Sequence, residues 1–393
     1  MTRQTFVSLL LILIFSISLQ SQSVTTDTTY HFNGDKIKSI VKFTNNGNDT
    51  IYEGPASFYY VTGDLWQLGN YENGSMHGNW TTWYTNGNIK RKAPYVTGVK
   101  SGEVINYYES GNIKNILNFI NDTLQGEATL YYDNKQIKET RYYIDNKLNG
   151  LTTGYSFDGN LSYRINFVDS IQNGLYEKYY LSGKLKEKGT IADQLFYGKY
   201  HSYYENGQTE KDYSYKAYTI DGPYIVYFNN GNIMIDGKYA DGKIVGVWKQ
   251  YYDDGSLYET GSYRNGKREG MWSSFFPDSI SYMKGAYNNG VAEGMWEVYH
   301  TNGTLKQKGS FIGGNTNGSW EFYHDNGKLR MKGKYADNKN EGHWVHYYKN
   351  GMVRLDLYYK SGMLDGILTA YDDQGKIIEQ AEYKDSQMVR QIR

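Results

Sequence analysis

The sequence predicts an all-β protein: a single elongated antiparallel meander sheet of about fourteen 24-residue β-hairpin repeats. Three observations carry that reading. First, glycine stands at 54, 78, 102, 126, 150, 174, 198, 222, 246, 270, 294, 318, 342 and 366, every interval being 24. A fixed period of this length is the mark of a repeat architecture. Second, counting each of these glycines as position 0, position 5 is always aromatic, as at Tyr59, Trp83, Tyr251 and Tyr371. Third, position 9 is glycine in twelve of the fourteen repeats, usually after Asn, Asp or Ser, with Lys135 and Ser279 the exceptions.

Each element of one repeat then follows. In the run from Gly246, the stretch Gly246-Val-Trp248-Lys-Gln-Tyr251 is rich in the aromatic and branched residues that favour pleated, half-buried surfaces. Asp254-Gly255 reads as a tight two-residue turn of type I′, whose central residues both need positive φ. Leu257 to Tyr263 is the return strand, and Asn265-Gly266 closes the repeat with a looser turn. A turn at Asp254-Gly255 pairs Trp248 with Gly261 and Gly246 with Tyr263, so each strand glycine lies opposite an aromatic ring able to cover it. Of the seven glycines at position 15, six face an aromatic within their own hairpin; Gly69, opposite Ala56, does not.

The ends and the domain plan are read in the same way. Arg3, an apolar run from Phe6 to Leu19 and the polar Gln20-Ser21-Gln22-Ser23 describe a cleavable signal peptide over 1–21, and the run is short for a membrane span, which needs ~20 residues. Residues 22–53 are expected to be a flexible start and a degenerate first hairpin, with Asn33-Gly34, Ile37 and Phe43 fitting the pattern but three extra residues before Gly54. The array proper runs over 54–389 without a linker. The reading is therefore of an exported protein, periplasmic, at the cell surface or extracellular.

Composition limits the chemistry. Forty-two Lys plus Arg balance 42 Asp plus Glu, so no global field recruits nucleic acid. With no cysteine there is no disulfide, thiolate nucleophile or cysteine-bound zinc. No nucleophile elbow or other catalytic motif appears. The seven histidines do not form a metal site: His300 and His324 are one repeat apart, about 10 Å, too far for one ion bound at about 2 Å. No catalytic residue, cofactor or metal is expected.

One constellation is a candidate for binding. Position 12 is basic in seven repeats, and the hairpin register sets it across from the position 5 ring. The face so defined comprises Trp83 with Lys90, Tyr107 with Lys114, Tyr299 with Lys306, Tyr323 with Arg330, and Tyr347 with Arg354. A ladder of rings and cations suits a protein partner or an envelope polymer through cation–π and stacking contacts, with no nucleic acid and no transmembrane span in the mature chain.

The pattern Gly-x-Trp-x-x-Tyr-Tyr-x-x-Gly-x-Leu from Gly246 to Leu257 recurs over 318–329 with His324 at the second tyrosine, and Gly-x-Tyr-x-Asn-Gly spans Gly261 to Gly266. These residues resemble the MORN-repeat superfamily, most closely its bacterial variant type, over about residues 50 to 385. The resemblance implies an elongated antiparallel meander and a binding or scaffolding role. Some members are labelled antitoxins, which implies a second reading in which the chain neutralises a partner toxin.

Overall fold

The computed structural model describes residues 23–393 apart from Asn33 and Asn48; the expected signal peptide lies outside the described residues. These residues form 35 β-strands. Among them no helix is long and apolar enough to cross a membrane. The chain divides into two compact units, one ending at Gly159 and the other starting at Asn160.

In the first unit, strands from Thr25–Tyr30 to Gly150–Tyr155 pair antiparallel with their neighbours in the chain. Thr25–Tyr30, expected as a flexible start, is instead a strand laid against Ile37–Asn46. The three extra residues before Gly54 fall in the pairing of Ile37–Asn46 with Asp49–Tyr59, strands of 10 and 11 residues. In the second unit the same meander runs from Leu161–Val168 to Gln387–Gln391.

The register read from sequence holds in the body of the hairpin: Gly246 pairs with Tyr263 and Trp248 with Gly261. The turns are exchanged, however. At the Asp254-Gly255 tip only Gly255 has positive φ, Gly255 N–H donates to Tyr252 O, and Tyr252 N–H donates to Ser256 O. That is a three-residue loop with a glycine bulge, and it shifts the register by one, so that Tyr251 pairs with Leu257. The side chain of Asp254 stabilises it by accepting the Ser256 N–H at 2.8 Å. The tight two-residue turn is the other one: Arg264 pairs with Lys267 across Asn265 (φ 51) and Gly266 (φ 78).

The recurring glycine at position 0 has its own reason. All fourteen have positive φ, and a Cβ added at Gly246 or Gly270 meets nothing within 4 Å. Tyr263, although paired opposite Gly246, is therefore not what requires the glycine. Thr260 pairs with Ser273 and Ser262 with Glu269, so Gly270, Met271 and Trp272 together oppose Gly261 alone. Glycine is required because this bulge turns the backbone through the left-handed region.

The bulge decides the core. It carries Trp272 over Gly261 of the preceding repeat, where a Cβ on Gly261 would lie 2.1 Å from the indole. Thus the ring that covers each strand glycine comes from the next repeat, not from the partner in its own hairpin. Trp80 covers Gly69, and Trp248, Trp296, Trp320 and Trp344 cover Gly237, Gly285, Gly309 and Gly333. Each of these six tryptophans is buried. Trp272 Nε1 also donates to the Ser262 carbonyl at 3.1 Å, and its ring meets Tyr263 edge-on at 5.1 Å. Stability is in this way coupled from repeat to repeat.

Candidate binding surface

The candidate face begins at the hairpin tip, where the one-residue shift relocates the cations. Lys90, expected over Trp83, has its ammonium 5.4 Å from the centre of the Tyr84 ring at position 6. Lys114 lies likewise over Tyr108 at 5.6 Å, and Arg354 over Tyr348 at 6.0 Å. Two basic residues outside the selected pairs follow the rule, Lys138 over Tyr132 and Lys186 over Tyr180. Arg330 sits over Phe322 at 5.9 Å rather than over Tyr323. All of these cations are exposed.

The position 6 rings were not singled out by sequence, yet they join one repeat to the next. Tyr60, Tyr84, Tyr108 and Tyr132 donate their hydroxyls to the carbonyls of Trp83, Tyr107, Tyr131 and Tyr155, all at 2.7 to 2.9 Å. In the second unit His300 and His324 replace tyrosine, with Nε2 at 3.2 and 3.1 Å from the carbonyls of Tyr323 and Tyr347. Asparagines at position 8 make a second row: Asn86, Asn302 and Asn350 donate side-chain N–H to the carbonyls of Glu109, Asp325 and Asp373. The turn asparagines are thus selected for links between repeats as well as for turn geometry. A signal was present in sequence, since tyrosine recurs at position 6 with the same 24-residue period.

The position 5 tyrosines have different partners. Tyr299 donates to Glu297 at 2.6 Å, and Lys284 of the preceding repeat reaches that carboxylate at 2.8 Å. Tyr323, Glu321 and Lys308 repeat the arrangement. Lys284 and then the Tyr299 hydroxyl hold the Glu297 carboxyl below the usual range, while burial and then Glu297 push the Tyr299 hydroxyl up. Val345 stands where the next glutamate would be, so Tyr347 lacks this carboxylate. Trp83, Tyr107 and Tyr347 pair through their backbones with Ile89, Ile113 and Val353. The ten selected residues are therefore all at the hairpin tips, but they do not act as one ladder: Lys90, Lys114 and Arg354 lie over position 6 rings, while Tyr299 and Tyr323 are bound to carboxylates.

An antiparallel meander within each unit, with its aromatic core between repeats and its charge at the tips, defines a repeat protein. The MORN repeat variant model matches nine segments, 76–97, 100–121, 124–145, 172–193, 244–265, 292–312, 316–337, 340–361 and 364–385. These cover just over half of the chain, and the protein belongs to that family. No curated protein matches it. Among solved structures it is similar to the TcdB2-TccC3-TEV crystal structure (11% identity, TM-score 0.16, 93% of this chain and 22% of that one). It is also similar to the Photorhabdus luminescens Tc holotoxin pore (12% identity, TM-score 0.15, 91% and 26%). The chain spans about a quarter of those chains, and similarity at this level carries no argument about function.

Proposed function

We propose that this chain is an exported, non-catalytic binding or scaffold protein whose hairpin tips engage a protein partner or an envelope polymer. The observation that carries the reading is the recurrence of exposed cations over position 6 rings, at Lys90, Lys114, Lys138, Lys186 and Arg354. The rings are already committed to links between repeats, so they provide a rigid platform. The exposed cations have no such commitment and remain available for exchange with an anionic partner. Export rests on the Arg3 to Ser23 pattern and is tested separately, by amino-terminal sequencing of the mature protein.

The test is capture from the native envelope fraction by immobilised protein. Joint replacement of Lys90, Lys114 and Lys138 with Gln should reduce the captured material while leaving the thermal melt close to that of the parent. Undiminished capture by the triple variant would remove the tips from the binding reading. The alternative, an antitoxin or immunity-type protein, rests on the family resemblance; stoichiometric capture of a single toxin would favour it.

A further inference from the structure

In the second unit, two cations without a carboxylate partner line one groove that touches three consecutive repeats. A groove of about 290 Å³ is lined by His300, Lys306, His324, Arg330 and Lys349, with Asp325 at its side. Asp325 is neutralised by Lys349 at 2.8 Å. Among the described residues neither Lys306 nor Arg330 has a carboxylate within 4.0 Å. The carbonyl acceptors of Tyr323 and Tyr347 require a proton on Nε2 of His300 and His324, so Nδ1 is the nitrogen of each ring left to meet a ligand. The groove thus offers two free cations, the Nδ1 edges of two imidazoles and the Tyr323 ring.

Spacing selects the ligand. Lys306 and Arg330 hold equivalent places in adjacent repeats, two strands or about 10 Å apart. Phosphates on a nucleic-acid strand recur about every 3.4 Å, too densely for one cation per repeat. A sparser polyanion fits, with hydroxyls between its charges to meet the imidazoles. We infer that this groove is a subsite for an acidic polysaccharide, its carboxylates paired with Lys306 and Arg330 and its hydroxyls meeting His300 and His324. The inference rests on the binding function proposed above and names its ligand class.

A reporter is built in. Burial, and then Arg354 and Arg330, hold His346 below the ordinary histidine range. A carboxylate bound at Arg330 offsets part of that charge and raises the His346 titration.

The probe is a hyaluronan octasaccharide, which has a carboxylate on every second sugar, with a neutral chito-oligosaccharide of equal length as control. Calorimetry of the full chain should show binding of hyaluronan and not of the control, with an upward shift of His346 by NMR. Each of Lys306→Gln and Arg330→Gln should weaken binding roughly tenfold, the scale of one charge-assisted hydrogen bond. Lys199→Gln, at an exposed cation in another repeat, should leave binding unchanged. Absence of hyaluronan binding, equal binding of the neutral control, or an equal loss in the Lys199 variant would each overturn the assignment. If hyaluronan fails while envelope capture still depends on the tip lysines, the polysaccharide inference falls and the binding function stands.

Discussion

The indole of Trp272 occupies the space that a side chain on Gly261 would need, with Cδ2 2.1 Å from the position of the missing Cβ. The two residues belong to successive repeats, and their fit explains a sequence rule. Of the seven position 15 glycines, all seven are followed eleven residues later by an aromatic, and six of those are tryptophan. Where position 15 is not glycine, only Tyr176 and Tyr224 of the six following residues are aromatic. Even Gly69, which faces Ala56 in its own hairpin, is covered by Trp80.

This relationship predicts strong non-additivity. Gly261→Ala drives a methyl into the ring and should cost about 1–3 kcal/mol by overpacking. Trp272→Ala leaves a cavity and should cost about 3–5 kcal/mol. The double variant should be less destabilised than the sum by about 1 kcal/mol or more, because the methyl enters space that the ring has left. Urea unfolding of the three variants decides this; additive effects would show that the indole does not oppose Gly261 in solution.

The position 0 glycines are expected to behave differently. Gly270 has φ +69 and open space around its missing Cβ. Gly270→Ala should therefore cost about 1–2 kcal/mol from backbone strain alone. Gly270→Asn should cost less, since asparagine tolerates the left-handed region. A steric origin would instead make the larger asparagine the worse of the two, and comparison of their urea midpoints separates the causes.

These two glycine classes show how far the sequence was legible. The 24-residue period, the strand content and the pairs Gly246–Tyr263 and Trp248–Gly261 all follow from spacing, because side-chain alternation and turn position fix a regular ladder. What spacing does not show is a bulge. Three residues, Gly270 to Trp272, stand against Gly261, and this hands each core tryptophan to the neighbouring repeat. A second bulge at each tip, beside Gly255 in this repeat, moves the cations from position 5 rings to position 6 rings. The candidate site was thus legible as residues at the tips, and its partnerships were not. The covariation of position 15 with the next repeat was available in the sequence and would have revealed the first bulge.

The carboxylate at Glu297 gives a dependence on pH whose sign is fixed. Its folded-state pKa is lowered by Lys284 and Tyr299, so its contribution is fully present above the ordinary glutamate value of about 4.3 and is lost as pH falls through the lower, folded value. Glu297→Gln should lower the thermal midpoint at pH 7, and the gap from the parent should close as pH falls below about 4. Lys284, whose folded pKa is raised by Glu297 and Tyr299, contributes below its unfolded value and loses that contribution at alkaline pH. Melts of the parent and Glu297→Gln proteins across pH 2 to 8 check the acid limb. A gap that persists undiminished at pH 2 would show that Glu297 acts through something other than its charge.

The tryptophan–glycine contacts are unevenly distributed, and local stability should follow them. In the second unit they run from Gly237 with Trp248 to Gly333 with Trp344. Between Leu161 and Tyr213 that unit has none; Gly189 meets Phe196 and Tyr200 instead, and Glu187 accepts hydrogen bonds from Tyr176 and Tyr200. Polar contacts of this kind contribute about 0.5–1.5 kcal/mol each, less than a buried indole. Amide exchange within the second unit should accordingly be slowest in strands such as Lys267–Phe275 and Asn315–Tyr323, and faster in Leu161–Val168 and Leu185–Ala192. Trp296→Ala should speed exchange in the repeats on either side of Gly285 and leave Leu185–Ala192 unaltered, because stability in a linear array passes between nearest neighbours. Equal protection in all four strands, or loss of protection in Leu185–Ala192 on replacing Trp296, would show that the unit unfolds as one cooperative block and that these contacts do not set its local stability.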